Sequence, residues 1–256
     1  LGGSINLYTL RSNEKEANAI AQYGSFDTRK IHVNGNLQSG SSNNWASLSH
    51  VQSSGYRENN HYNRTSLLST ASWEGKRWDV DATLHIYNLD AGIPSSLGKT
   101  QFEESPQLAA PNWKNVEGFK ALTKGLLGVT LTGRISEDVV NRLTLFGSAT
   151  DSYERRPFNN LDDQSVSLGV RNKLTYHTYQ TDWVMGFELI TDTYSWEIER
   201  EEILLNKNRE RRNQLNIFGL AQHRFSQKLI GSFALAANYI NYNLTDLFLD
   251  DGDKSG

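Results

Sequence analysis

The sequence contains no cysteine, so disulfides, thiolate nucleophiles and Cys-based zinc sites are excluded. The compartment stays open, because an oxidising compartment permits disulfides without requiring them. No run of apolar residues is long enough for a membrane helix, which needs about eighteen or more. A membrane β-barrel is not excluded, since its strands show lipid only at every second residue. Basic excess is also missing. The net charge of −3 argues against a dedicated nucleic-acid binder. The chain opens Leu1-Gly2-Gly3 without an initiator Met or a charged-then-apolar leader, and closes on a solvated run from Asp250 to Gly256. Both ends are expected to be cuts within a longer chain, and 256 residues leave room for one large all-β architecture.

What is present is alternation with a period of two. Trp78, Val80, Ala82, Leu84 and Ile86 lie on one face of a strand, against Asp79, Asp81, Thr83, His85 and Tyr87 on the other. Residues 165–176 and 181–192 repeat the pattern, and weaker copies fall near 17–27, 28–39, 43–53, 63–74, 120–133, 141–152, 213–225 and 228–242. That predicts about eleven strands, many of them near the 9–11 residues a membrane-spanning strand needs. Tight turns are expected near 41–43, 75–76, 137–138, 177–178 and 226–227. Long links are expected near 54–62, 90–119, 153–164 and 195–212. Short and long alternate, so in an up-and-down meander one rim is trimmed and the other elaborated. All four prolines (Pro94, Pro106, Pro111 and Pro157) fall in the long links, as ladder hydrogen bonding requires. Aromatics gather at strand ends. Trp73, Trp78, Tyr176, Tyr179 and Phe225 border the tight turns, and Tyr87, Tyr153, Tyr194, Trp196, Tyr239 and Tyr242 lie at the opposite ends. This predicts two interfacial belts.

Three segments then carry a family resemblance. Leu1-Gly-Gly-Ser-Ile-Asn-Leu-Tyr-Thr9 resembles the end of the plug domain of TonB-dependent outer-membrane receptors. Tyr23-Gly24-Ser25-Phe26-Asp27-Thr28-Arg29 is similar to that family's first barrel hairpin. Ser53-Ser54-Gly55-Tyr56-Arg57-Glu58-Asn59-Asn60 with Tyr62-Asn63-Arg64 resembles the loop entering its fourth strand. Ile93-Pro94-Ser95-Ser96 and Asn112-Trp113 also look like siderophore-type receptors. The resemblance implies an all-β, antiparallel, up-and-down transmembrane β-barrel segment of about eleven strands, an open part of a barrel of about twenty-two. Residues 1–12 would be the C-terminal end of the plug domain and 13–256 the N-terminal half of the barrel. Energy for import would come from the TonB complex through the plug and N-terminal part, and outer-membrane lipids and lipopolysaccharide would surround the barrel.

An odd strand count leaves the last strand parallel to the first, whereas bacterial single-chain barrels are even-numbered. An open sheet with a bare edge at each end is therefore expected. Asp79, Asp81, His85, Arg171, Lys173, Asp182, Glu188 and Asp192 alternate toward the inside, where a wet lumen or polar plug suits them. The six histidines make no HExxH pattern, no Gly-x-Ser-x-Gly marks a nucleophile, and the acidic end matches no EF-hand loop. No catalysis, metal or cofactor is expected. Ligand contacts are expected from Tyr56, Arg57, Trp113, Tyr153, Arg155 and Arg156, whose cations and rings suit the anionic, aromatic chelates of ferric siderophores. The alternatives are a porin-like passive channel and a soluble β-rich ligand-binding module with shorter strands and apolar inner faces.

Overall fold

The structure is a computed structural model describing residues 15–248 together with Gly252 and Lys254. The expected plug end at residues 1–12 lies outside the described residues. Eleven strands follow one another: β1 (Glu16–Gly24), β2 (Thr28–Ser39), β3 (Ser42–Ser53), β4 (Tyr62–Glu74), β5 (Trp78–Gly92), β6 (Phe119–Arg134), β7 (Val139–Arg155), β8 (Asn160–His177), β9 (Thr181–Arg200), β10 (Ile203–Arg224) and β11 (Ile230–Asp246). Two short helices, α1 (Lys99–Glu104) and α2 (Pro111–Asn115), fold the long link between β5 and β6. Each strand is hydrogen-bonded to the next in antiparallel register, giving one open sheet whose edges are β1 and β11.

Paired residues of an antiparallel ladder share a face, so the register assigns every side chain to one side. The row Val80, Leu131, Leu143 is apolar, and its neighbour Leu84, Leu127, Gly147, Leu168 is nearly so. One residue along, Asp81, Thr130, Thr144, Arg171 and Glu188 make a polar row on the opposite face. Val166 and Leu168 are exposed while Ser165 and Ser167 are half-buried, which puts the apolar face on the convex side of the curl and the polar face inside it. Among the described residues the only buried apolar side chains are Ala109 and Ala110, in the β5–β6 link. Among the described residues no second layer covers Val80, Leu84, Val166 or Phe187. The soluble sandwich needs a dry core between two sheets, and the described residues do not build one.

The elaborated rim differs from the expectation. Residues 153–164 and 195–212 are not long loops. β7 and β8 are joined by only residues 156–159, and β9 and β10 turn over at Glu201-Glu202, both with positive φ (50° and 66°). Left-handed backbone at both central positions is the geometry of a two-residue hairpin turn. The upper parts of these strands read as loop because, above the hydrocarbon, a strand has no apolar face to display. Cross-strand ion pairs such as Lys207–Glu197 (2.5 Å) hold the ladder there instead. The elaboration is therefore built of tall hairpins at one end of the rim and of true loops, 54–61 and 93–118, at the other.

Several glycines lie beneath cross-strand rings. Phe146 pairs with Gly169 across β7 and β8, and a Cβ on that glycine would come within 2.3 Å of the ring. Trp78 covers Gly133 in the same way, as Phe218 covers Gly186. Such ring-over-glycine pairs shield ladder hydrogen bonds and pin register. Gly169→Val is expected to cost roughly 1–3 kcal/mol by forcing the ring aside. A lowered midpoint of heat-induced loss of the folded electrophoretic form would register this, and an unchanged midpoint would remove Phe146 as a register lock.

Candidate functional site

The concave face carries charge in a partly neutralised pattern. Arg171 Nε donates to Glu188 at 2.6 Å, and Asn216 Nδ2 donates to the other oxygen of that carboxylate at 3.0 Å. The Arg171 guanidinium also lies 5.9 Å from the centre of the Phe146 ring. Higher on the same face Arg64 sits over Tyr87 at 5.0 Å, and Tyr194 stacks on Trp196 with centroids 5.1 Å apart and planes 25° from parallel. Arg142 and Lys173 face each other directly across β7 and β8, and no described side chain pairs with either. Opposed like charges destabilise a sheet unless an anion or carboxylate lies between them.

These aromatics correct part of the belt expectation. Register puts Trp73, Trp78, Tyr176 and Trp183 on the apolar face near the tight turns, as an interfacial belt requires. Of the aromatics expected at the other end, Tyr153 and Tyr239 face outward, whereas Tyr87, Tyr194, Trp196 and Tyr242 face inward. Position along a strand does not choose a face; parity does. Counting by twos from Trp183 or Trp78 would have found the inward group in the sequence.

The second feature is a small folded cap on the elaborated rim. Arg57 reaches from loop 54–61 into link 93–118, donating to the Leu108 carbonyl from Nε (3.0 Å) and Nη2 (2.8 Å) and to the Ser95 carbonyl from Nη1 (2.7 Å). Asn59 Nδ2 donates to the carbonyls of Ile93 (2.9 Å) and Gly118 (2.7 Å). Glu58 accepts from Lys114 Nζ at 2.7 Å and from the Ala109 amide at 3.3 Å. The Lys114 hydrogen bond, helped by that amide, holds the Glu58 carboxyl below its ordinary pKa. A depressed pKa means that this contribution is complete above the unfolded value and is lost as pH falls through the folded one. Protection factors of the amides in 93–118, taken relative to the intrinsic exchange rate at each pH, are thus expected to fall on acidification below the ordinary carboxylate range. In Glu58→Gln that acid step should vanish, and its persistence would refute the assignment.

The structure divides the residues named from sequence. Tyr56 remains exposed and meets Phe26 edge to face at 5.5 Å, joining the β1–β2 and β3–β4 connections. Arg57 spends its donors on loop carbonyls. Trp113 lies against Gly118, where a Cβ would sit 2.4 Å from the ring. Tyr153 and Arg155 share the outward face with Phe119: the two rings are 5.9 Å apart and the guanidinium is 5.1 Å from the Phe119 centre. Arg155 there borders a hollow of about 390 Å3 with Asn59, His61, Asp90 and Glu117. Arg156 pairs with Glu154 at 3.1 Å. Tyr153 and Arg155 are brought together over Phe119, and the Trp113 ring and the Arg155 carbonyl both lie against Gly118. The inward Arg64–Tyr87 and Tyr194–Trp196 pairs were not named as contacts.

An open antiparallel sheet with an apolar convex face, a charged concave face, one trimmed rim and one elaborated rim has the build of part of a large transmembrane β-barrel. Solved structures agree. The siderophore receptor PiuA from Acinetobacter baumannii superposes with a TM-score of 0.76 at 9% identity, over 96% of this chain and 46% of that one. The ferric-catecholate import receptor Fiu from E. coli K12 does so at 0.76 and 11%, over 93% and 46%. The outer-membrane ferripyoverdine receptor of Pseudomonas aeruginosa, solved with ferripyoverdine bound, gives 0.73 at 8%, over 97% and 39%. The chain thus has the fold of part of the barrels of these receptors, as its motifs implied, and spans less than half of their length. No family model matches the sequence, and no curated protein does.

Proposed function

We propose that this chain is the N-terminal barrel half of a TonB-dependent receptor that takes up a ferric siderophore or similar scarce chelate across the bacterial outer membrane. Residues 1–12 close its plug and residues 13–256 begin its barrel. The observation that carries this reading is the combination of a lipid-type convex face with a concave face lined by cations and rings, on a fold shared with siderophore receptors. Arg64 over Tyr87 and the Tyr194–Trp196 stack offer an anionic aromatic chelate both charge and π-surface. Tyr56 with Phe26 offers exposed rings at the rim, and Trp113 and Arg156 flank the approach. The unneutralised Arg142–Lys173 pair suits a polar plug bearing carboxylates.

Growth of a deletion strain on single iron sources tests the reading. Loss of growth on one ferric chelate, restored by the intact gene, is expected. Indifference to every iron source would redirect the assignment to a different cargo. A passive porin-like channel predicts uptake that survives removal of the inner-membrane energy source, whereas active import predicts that uptake stops.

A further inference from the structure

One corner of the convex face carries chemistry that neither lipid packing nor uptake uses. Leu84, in the apolar convex row, pairs with Ser69, and Thr65 lies four residues from Ser69, so Thr65 also faces outward. Its cross-strand partner His50 faces outward with it, as does Gln52, two residues further along β3. His50 Nδ1 lies 2.9 Å from the Thr65 hydroxyl, and His50 Nε2 lies 3.4 Å from Gln52 Oε1. Of the six histidines, this one alone joins a hydroxyl to an amide carbonyl. With Nε2–H donating to Gln52, Nδ1 is left as the acceptor, the form in which an imidazole withdraws a hydroxyl proton.

Depth and neighbours add to this. Thr65 is the ninth residue counted along β4 from belt residue Trp73, and a spanning strand needs about 9–11. The hydroxyl therefore stands where hydrocarbon gives way to headgroups, the level of a lipid's acyl esters. Next below it, Leu48, Leu67 and Ile86 form an exposed apolar row across β3, β4 and β5. Thr65 itself is exposed, and His50 and Gln52 are half-buried. Two side-chain amides flank the hydroxyl. Asn88 pairs with Thr65 across β4 and β5 and donates one N–H to Thr123 Oγ1 at 3.0 Å. Asn63, two residues along β4, has no described partner.

We propose that Thr65, His50 and Gln52 form an acyl-ester hydrolase site open to the lipid phase, which cleaves a glycerophospholipid whose acyl chain lies along Leu48, Leu67 and Ile86. Thr65 Oγ attacks the ester carbonyl carbon while His50 Nδ1 takes its proton. The bond from that carbon to the glycerol oxygen breaks, and the imidazolium returns the proton to the leaving oxygen, releasing the lysolipid. Water, deprotonated by the same nitrogen, then splits the acyl–threonine ester, and Thr65 recovers its proton as the fatty acid departs. Asn63 and Asn88 supply N–H donors to the carbonyl oxygen as it gains charge. Gln52 acts through the imidazole and is a positioning residue. The site lies on the opposite face from the cations and rings offered to the chelate, and it rests on the outer-membrane barrel reading.

The intact outer-membrane protein, in mild detergent with micelles of diacyl phosphatidylethanolamine, should release fatty acid and lysolipid in equal amounts, read by mass spectrometry. A long-chain alkyl fluorophosphonate should mark Thr65, mapped as a mass gain on its peptide. Thr65→Ala should abolish both signals, and Thr65→Ser should keep both. His50→Gln should slow release roughly a hundredfold, the weight of one general base. Gln52→Glu should stay active with the limb of its pH–rate profile moved upward, because a carboxylate beside the imidazole raises its pKa. A polar pair that only braces the ladder predicts none of this. No release above that of protein-free micelles, release or labelling that survives Thr65→Ala, or an unmoved profile in Gln52→Glu would each overturn the assignment. Heat-modifiable mobility reports the folded barrel separately, so failure to form one at all would strike the membrane reading instead.

Discussion

Leu168→Arg is expected to cripple insertion, whereas Ser167→Arg, one residue away, should leave it nearly untouched. Both lie in β8, with Leu168 exposed on the convex face and Ser167 half-buried on the concave one. On the lipid side an arginine near the bilayer midplane costs about 2–4 kcal/mol, while a lumen-facing one stays hydrated. The measurement is the yield of heat-modifiable, membrane-inserted protein, or the unfolding midpoint in detergent. Two equal effects, or a larger effect at Ser167, would mean that the faces have been assigned the wrong way round. Adjacent residues share local strand propensity, so a difference between them isolates which side meets lipid.

Arg57→Ala should unfasten the cap. The side chain ties loop 54–61 to the carbonyls of Ser95 and Leu108. A hydrogen bond from a charged donor contributes about 1.5–3 kcal/mol net, so amide exchange and proteolysis within 93–118 should accelerate roughly ten- to hundredfold. Arg57→Lys should recover little, because an ammonium cannot serve carbonyls on two sides as the planar fork does. Uptake should fall with cap order, since a mobile cap must be reordered when ligand arrives. If exchange is unchanged, Arg57 is free for ligand after all, and its loss should then appear in binding alone.

Some of this was legible from the chain. The strands were, because alternation is a property of single strands: the second strand was located residue for residue, and the tight turns lie where Gly75-Lys76 and Ser226-Gln227 interrupt the pattern. The tall hairpins were not. Asn206-Lys207-Asn208-Arg209-Glu210-Arg211-Arg212 has no apolar alternation, so nothing local separates a strand standing in water from a loop. The candidate site was the least legible part. Tyr87, Tyr194 and Trp196 were identified by their places near strand ends, which fixes height but not direction. Arg57 looked like a ligand contact, and its partners lie in a link that begins more than thirty residues later.

The sequence by itself determined the period, the approximate number of strands and the chemistry of the two faces, because side-chain alternation follows from backbone geometry alone. Only the tertiary structure decided which side is convex, which rings meet across neighbouring strands and which cations find acids. Those depend on register between strands, and a shift of a single residue would exchange lipid for lumen along the whole sheet.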